Sequence, residues 1–192
     1  MHRAHCARQT LRQVPQTPGK QLIGVKTGAQ IVSGSWDETI RLWDAREGRF
    51  IGEPFTGHTN VVSAVALGAL KGRPVVVSGS HDRTIWVWDV RTREPISMLR
   101  GHAGPITSVG LGAVDGRAIL VSGSKDHTIR LWDVESHQVR CTIDLGTELI
   151  SIALDPDVGI ITGLAEGAVD LEIREMSLPH PPMHQGRKHL AS

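Results

Sequence analysis

The chain has 192 residues, of which 40% are hydrophobic and 21% charged, a composition typical of a soluble globular protein of one or two domains. Its 21 basic and 20 acidic side chains leave a formal charge of +1, which disfavours nucleic-acid binding. Two cysteines, Cys6 and Cys141, are too few for a disulfide framework and favour a reducing compartment. The start, MHRAHCARQT, lacks the apolar stretch typical of a signal peptide, and no apolar run approaches the roughly 20 residues that span a bilayer. We therefore expect a cytoplasmic protein.

The two ends of the chain have the composition of flexible segments. Residues 1–20 are rich in Gln, Arg and Pro and lack the alternation of a strand. Order is expected to begin near Gln21, where QLIGV at 21–25 suits a first strand. The three prolines at 177–192 predict a flexible tail, so the folded region is expected to span 21–176.

Between these ends, three tryptophans occupy the same place in a string that occurs three times. The string recurs after 45 and then 44 residues, a period that indicates an array of small structural units. The segments before it also repeat, since GHTNVVSAVALGALKGRPVVVSGS at 57–80 aligns with GHAGPITSVGLGAVDGRAILVSGS at 101–124. The three copies are SGSWDETIRLWD at 33–44, SGSHDRTIWVWD at 78–89 and SGSKDHTIRLWD at 122–133.

Each unit has the pattern of a small antiparallel sheet. Short runs of Val, Ile and Leu alternate with clusters of Gly, Pro, Asp and Asn, and no helical period is sustained. A weaker fourth unit at 148–173 keeps the strand pattern but has Thr147 and Glu172 where the others have His and Trp. The predicted strands lie near 61–67, 74–80, 84–89 and 95–100 in the second unit, and near 105–111, 118–124, 128–133 and 138–144 in the third.

The dipeptide GH followed by SGSxDxTIxxWD, at a period of about 44, resembles the WD-repeat family of β-propellers. The hairpin segments ALGALKGRPVVVSGS and GLGAVDGRAILVSGS are similar to bacterial WD-repeat regions attached to signalling ATPase or kinase modules. The resemblance implies an all-β fold, a partial and open propeller of about three to four blades, each a four-stranded antiparallel sheet. The units implied are 21–56, 57–100, 101–145 and 146–176.

In this family, a histidine, a serine or threonine, an aspartate and the tryptophan of each unit form a hydrogen-bonded tetrad. The resemblance implies a structural role for them, because buried polar groups left without partners would cost about 1–3 kcal/mol each. The first unit has Gln13 at the histidine position, so its tetrad is expected to be incomplete. The tetrad positions are His58, Ser78, Asp82 and Trp88, then His102, Ser122, Asp126 and Trp132, and in the first unit Ser33, Asp37 and Trp43.

Three other kinds of site are considered and disfavoured. A Ser/His/Asp set is also the composition of a hydrolase triad, but here it recurs with a tryptophan and without a GxSxG motif, so we expect no catalytic residue. The stretch GLGAVDG at 110–116 favours a hairpin over a nucleotide loop, and no cofactor is expected. Histidines near both termini could chelate a metal, but they lie outside the strand pattern, and no functional metal site is expected; the residues are His2, His5 and Cys6, and His180, His184 and His189.

The family topology implies that the loop before the first strand and the turn between the second and third strands share one face. Residues there differ between units, and Trp36 is the most informative because exposed aromatic rings often anchor partners. The alternative is that Trp36 packs on a neighbouring loop. The candidate partner-binding residues are Trp36, Glu38, Thr59, Asn60, His81, Arg83, Lys125 and His127.

These observations predict a non-catalytic scaffold or sensor module that binds protein and binds neither nucleic acid nor membrane. One alternative is a C-terminal regulatory propeller fragment of a larger bacterial signalling ATPase or kinase. A weaker alternative is a propeller that binds a small ligand or a metal. An open arc leaves sheet faces and a sheet edge uncovered, so self-association through them is expected as well.

Overall fold

The computed structural model describes residues 23–27, 30–114, 117–147, 149–155, 159–164 and 167–171. These residues form fifteen strands in four antiparallel sheets that follow one another along the chain, and they contain no helix. Accordingly, no helix long and apolar enough to cross a membrane occurs in the described part. The terminal segments 1–20 and 177–192, with Gln13 and both histidine groups, lie outside the described residues.

Within every sheet, strands that are adjacent in sequence pair with each other. Sheet 1 contains β1 (Ile23–Thr27), β2 (Gln30–Gly34), β3 (Ile40–Asp44) and β4 (Arg49–Phe50). Sheet 2 contains β5 (Val62–Leu70), β6 (Arg73–Ser80), β7 (Thr84–Asp89) and β8 (Pro95–Arg100). Sheet 3 contains β9 (Ile106–Val114), β10 (Arg117–Ser124), β11 (Thr128–Asp133) and β12 (Gln138–Asp144). Sheet 4 contains β13 (Leu149–Asp155), β14 (Gly159–Leu164) and β15 (Gly167–Leu171).

The strands agree with the sequence prediction except at the first hairpin of each full unit. Strand β5 extends three residues beyond the predicted end, because the turn to β6 needs only Lys71 and Gly72. Both turn residues have positive φ, 50° and 77°, as a tight turn matching the twist of the two strands requires. The repeated sequence before SGS is therefore a long two-stranded ribbon with a minimal loop.

Successive sheets pack through their first strands. Strand β5 packs on β1 and β2, β9 on β5 and β6, and β13 on β9 and β10. Among the described residues, no comparable packing joins the first sheet to the fourth. The fold is thus a partial, open propeller.

The central glycine of SGS is where one sheet approaches the next. A Cβ at Gly34 would lie 2.6 Å from Cγ1 of Val62, the first residue of the following sheet. A Cβ at Gly79 would overlap Ile106, which occupies the equivalent position one sheet further on. The glycine in the motif is therefore required by close packing between sheets.

The hydrophobic core lies between the sheets rather than inside any of them. Each fully buried aliphatic side chain contributes about 1.5–3 kcal/mol, so the interfaces stabilise the array and align the loops at its ends. Between sheets 1 and 2 the core contains Val32, Ile40, Leu42, Phe55, Val76 and Trp88. Between sheets 2 and 3 it contains Val75, Val77, Ile85, Val87, Leu99, Leu120 and Trp132. Between sheets 3 and 4, Ile119, Val121, Ile129 and Leu131 pack with Ile152.

Candidate functional site

In sheet 2, four side chains from two loops and two strands form one hydrogen-bonded chain. Nε1 of Trp88 donates to Oγ of Ser78 at 2.8 Å. The same Oγ lies 2.8 Å from Nε2 of His58, and Nδ1 of His58 lies 2.7 Å from Oδ2 of Asp82. Since an ionised carboxylate only accepts, Nδ1 carries the ring proton and Nε2 accepts from the serine hydroxyl. The ring nitrogens of His58, the indole N–H of Trp88 and the hydroxyl of Ser78 thereby all have hydrogen-bond partners.

Sheet 3 repeats this geometry. Trp132 donates to Ser122 at 2.8 Å, and His102 lies 2.8 Å from both Ser122 and Asp126. In both sheets the aspartate also accepts a backbone N–H from the loop that carries the histidine. The tetrad therefore ties that loop to the turn between the second and third strands.

A threonine belongs to each tetrad as well, and the sequence interpretation omitted it. Oγ1 of Thr84 donates to Asp82 at 2.6 Å, and Oγ1 of Thr128 donates to Asp126 at 2.7 Å. The signal was available, because Thr follows the aspartate by two residues in all three copies of the string. The threonine hydroxyl donates to Oδ1 of the aspartate, whereas the histidine binds Oδ2.

In sheet 1, an arginine binds the aspartate of the string. Trp43 keeps its 2.8 Å hydrogen bond to Ser33. Asp37 forms an ion pair with Arg41, whose Nη2 lies 2.9 Å from Oδ2, and it accepts from Thr39 as well. The predicted incompleteness of this tetrad concerns Gln13, which lies outside the described residues.

The electrostatics of the tetrads favour neutral histidines beside ionised aspartates. Burial lowers the pKa of His58 and of His102, although hydrogen bonds to Asp82 and Asp126 act in the opposite direction. For Asp126, burial alone would raise the pKa, but hydrogen bonds from Thr128 and His102 hold it well below its ordinary value. Each tetrad thus carries one negative charge within a dense set of donors.

The Ser–His–Asp connectivity is the same as in a hydrolytic triad, but the surroundings differ in two respects. Ser78 and Ser122 are both 0% exposed, so a substrate carbonyl cannot approach either hydroxyl. An indole N–H also donates to each serine oxygen, which occupies an electron pair that a nucleophile would use. The arrangement is suited to holding loops and strands together.

The turns between second and third strands present side chains from a strained backbone position. Glu38, Arg83 and His127 occupy the same place in the three turns and have φ values of 69°, 68° and 65°. Non-glycine residues adopt this left-handed conformation at a cost of about 1–2 kcal/mol. Glycine would remove the strain at each position, yet three different polar side chains occupy them.

These turns and the histidine-bearing loops lie on the same side of the arc, called here the loop face. The amide of Val62 donates to the carbonyl of Ser35 in the preceding turn, and Oγ of Ser80 donates to the carbonyl of Asn60. Trp36 is 52% exposed, so about half of its surface is open to a partner. The other predicted members are exposed apart from half-buried His81; they are Glu38, Thr59, Asn60, Arg83, Lys125 and His127.

Two features of sheet 2 occur once and were not anticipated. Trp86, where the other two copies have arginine, stacks on Trp88 with ring centroids 4.9 Å apart. Arg93 reaches the segment that connects β4 to β5, where it donates to the carbonyl of Glu53 at 2.8 Å and lies 4.9 Å from the ring centre of Phe55. Trp86 could have been noticed in the sequence as a departure from the repeated string. Arg93 could not, because no repeat pattern distinguishes a single arginine in a turn.

On the side opposite the loop face, a cavity of about 630 Å³ lies between sheets 2 and 3. Leu70, Ile96 and Val134 line it, and an ion pair between Lys71 and Glu135 crosses its edge. Within the described residues, no group of three or more His, Cys, Asp or Glu is arranged to hold a metal.

The family comparison identifies the repeat. The model described as WD domain, G-beta repeat, matches residues 25–44, 48–89 and 93–133, together more than half of the chain. Each longer match begins at the fourth strand of one sheet and ends with the third strand of the next, so one sequence repeat spans two sheets. A search of curated proteins found no significant match. WD repeats generally mediate protein–protein interaction or scaffolding. The chain belongs to the WD40-repeat family.

Proposed function

We propose that this protein is a non-catalytic scaffold module that binds a protein partner through the loop face. The observation that carries the proposal is Trp36, a large ring 52% exposed in a turn that is held by part-buried hydrogen bonds from Asp37 to Ser35 and from Thr39 to Asp37. Tryptophan is enriched among residues that dominate binding energy at interfaces. A rigid turn presents such a ring with little conformational entropy left to lose on binding.

The side chains around Trp36 indicate the chemistry of the partner. Exposed Arg83 on the next turn offers a planar cation suited to a carboxylate, and Glu38 beside Trp36 offers an acceptor. The partner surface is therefore proposed to carry an apolar side chain flanked by charges of both signs. Such a mixed interface gives specificity, and its association rate falls as salt is added.

A quantitative affinity purification tests this proposal. Wild-type protein is compared with Trp36→Ala and with Ile96→Ala, a control that removes an exposed apolar side chain from β8, away from the loop face. The proposal requires that a partner retained by wild type and Ile96→Ala is lost with Trp36→Ala. Equal retention by both variants contradicts the assignment of the loop face.

The non-catalytic part of the proposal has its own test. Because Ser78 and Ser122 are fully buried and accept an indole N–H, a serine-directed fluorophosphonate should not label the native protein. Labelling of one of these serines, or of Ser33, at one equivalent per chain would overturn it. We also propose a cytoplasmic location, which the free thiol of Cys141 supports because reducing conditions preserve it.

A further inference from the structure

The residue two places before the last tryptophan of each repeated string has a different partner in each sheet. In sheet 1 it is Arg41, whose Nη2 lies 2.9 Å from a carboxylate oxygen of Asp37. In sheet 2 it is Trp86, whose Nε1 donates to Oγ1 of Thr84 at 2.9 Å. In sheet 3 it is Arg130. The first two side chains therefore satisfy their donors within their own sheet.

Arg130 has no hydrogen-bond or ion-pair partner among the described residues. Its Nε is buried without an acceptor, whereas Nη1 and Nη2 are not buried, so an anion can reach the end of the guanidinium group. Of the arginines whose side chains the structure describes, Arg41 and Arg93 are also half-buried, and both have oxygen acceptors. Buried polar groups in folded proteins nearly always have partners, so the unpaired state of Arg130 calls for an explanation.

The aspartate that binds the arginine in sheet 1 is fully occupied in sheet 3. Oδ1 of Asp126 accepts from the hydroxyl and the amide of Thr128 at 2.7 and 3.0 Å. Oδ2 lies 2.8 Å from Nδ1 of His102 and accepts from the amide of Ala103 at 2.9 Å. A carboxylate has about four lone-pair sites, so none is left for Arg130. The complete tetrad of sheet 3 thus leaves a cation beside it without an acceptor.

The guanidinium group of Arg130 lies against the histidine-bearing loop of sheet 3, which belongs to the loop face. A Cβ at Gly101 would lie 2.7 Å from Nη1 of Arg130 and 3.2 Å from the ring of Trp132. Burial is the main cause that lowers the pKa of His102, and repulsion of its protonated form by Arg130 lowers it further. On the adjacent strand, Arg130 pairs with the neutral Thr142. The cation therefore lies where the loop face meets the junction of sheets 2 and 3.

We propose that Arg130 binds a carboxylate of the protein partner, an inference that rests on the proposed function because it requires the partner to cover the loop face. A planar guanidinium group matches a carboxylate through two parallel hydrogen bonds. Asp144 on the adjacent strand accepts from the amide of Gly146 and forms no ion pair with Arg130, which leaves the site open to an external carboxylate. Because ionised Asp126 lies close by, a singly charged carboxylate suits the site better than a doubly charged phosphate.

Nuclear magnetic resonance of the arginine side chains in the full chain tests whether the site binds a carboxylate. Sodium acetate is the probe, and sodium chloride at equal ionic strength is its control. The expected result is a saturable shift of the Arg130 Nε–H signal with acetate and none with chloride. The signal is assigned by its loss in Arg130→Met, and the signal of Arg41, which is already paired with Asp37, should not shift.

Unfolding in urea separates a binding role from a structural one. Arg130→Met should leave the midpoint unchanged or raise it, because no internal hydrogen bond is lost. The matched variant Arg41→Met should lower the midpoint, because it breaks the ion pair with Asp37. An equal loss in both variants would mean that Arg130 stabilises the fold through an internal partner, and would overturn the proposal.

Binding of the partner distinguishes a failure of this proposal from a failure of the proposed function. A partner that Trp36→Ala loses should bind Arg130→Met about tenfold or more weakly than wild type, as expected for the loss of a charge-assisted hydrogen bond. Loss of the partner with Trp36→Ala but full retention by Arg130→Met would overturn this proposal and leave the loop face supported. Full retention by both variants would contradict the proposed function as well. A missing acetate shift, or a response to inorganic phosphate at lower concentration than to acetate, would overturn the carboxylate assignment whatever the partner does.

Discussion

Trp88 and Ser78 are joined by a 2.8 Å hydrogen bond between two residues that are 1% and 0% exposed. The indole ring contributes to the core between sheets 1 and 2, while its N–H completes the polar tetrad. A single side chain thus couples the apolar packing between sheets to the loops at one end of them.

Trp88 and Trp36 differ strongly in burial, so replacing each with alanine should lower stability by different amounts. Trp88→Ala should lower the free energy of unfolding by about 3–5 kcal/mol, as truncation of a large buried aromatic does. Trp36→Ala should lower it by less than about 1 kcal/mol, because its ring is 52% exposed. Equilibrium denaturation in urea measures both, and equal losses would contradict the assignment of one ring to the core and the other to the surface.

The serine of the tetrad should matter more in sheet 2 than in sheet 1. Ser78→Ala leaves Nε1 of Trp88 and Nε2 of His58 without their partner, and each orphaned group costs about 1–3 kcal/mol. Ser33→Ala removes a partner from Trp43, which is only half-buried and can reach water. Unfolding measurements should therefore rank Ser78→Ala well above Ser33→Ala, and the reverse order would disprove the network described for sheet 2.

The glycine between the two serines of SGS should tolerate no side chain. Gly79→Ala places a methyl group against Ile106 and 3.0 Å from Cγ1 of Val109, so we expect a loss of about 1–3 kcal/mol from overpacking. The double variant Gly79→Ala/Ile106→Ala, which removes the Cγ2 methyl group that the new Cβ would meet, should lose less than the sum of its single changes. Strict additivity in thermal unfolding would show that the contact between the sheets is not tight.

Stability should fall in two stages as the pH is lowered. The pKa values of His58 and His102 are lowered by burial, so the unfolded chain binds more protons once the pH falls to about 6.5, their ordinary value. Stability is then lost from about pH 7 downward, through 6.5 and on toward the folded pKa values. A second loss follows below about pH 4, because a hydrogen bond from Arg140 and backbone amides lower the pKa of Asp133 to about 2, and Asp126 is shifted in the same direction.

The variant His58→Gln provides the control for the first stage. With one titrating ring removed, the slope of unfolding free energy against pH between 7 and 5 should be smaller than in wild type. An unchanged slope would mean that His58 does not remain neutral in the folded protein.

The parts of this structure that repeat could be predicted from the sequence, and the parts that occur once could not. His58, Ser78 and Asp82 recur in the next unit at the same spacing, and the resemblance to WD repeats that this spacing supports implies their contact before any coordinates. Arg93 binds a backbone carbonyl of the segment that connects sheets 1 and 2, and such a contact has no sequence signature. The period of two along a strand places Trp86 and Trp88 on one face of β7, but their stacking, with ring centroids 4.9 Å apart, depends on side-chain rotamers that the sequence does not determine.

Within the candidate site, too, some features could be predicted from the sequence and others could not. The αL position shared by Glu38, Arg83 and His127 follows from the constant turn length, but the strain at that position is apparent only from the φ values. The exposure of Trp36 depends on the path of neighbouring loops, which local sequence does not determine. The difference in burial between Trp43 and Trp88 depends on the packing of whole sheets.

The central claim, that the loop face is the surface that meets a protein partner, is tested most directly by photo-crosslinking in cells. A photoreactive phenylalanine derivative is introduced in turn at Trp36, at Asn60 on the adjacent loop, and at Ile96 on β8 as the control. The account predicts the same protein adduct from the first two positions and none from the third, with the adduct identified by mass spectrometry. An adduct formed from Ile96 alone, or no adduct from Trp36 and Asn60, would contradict it.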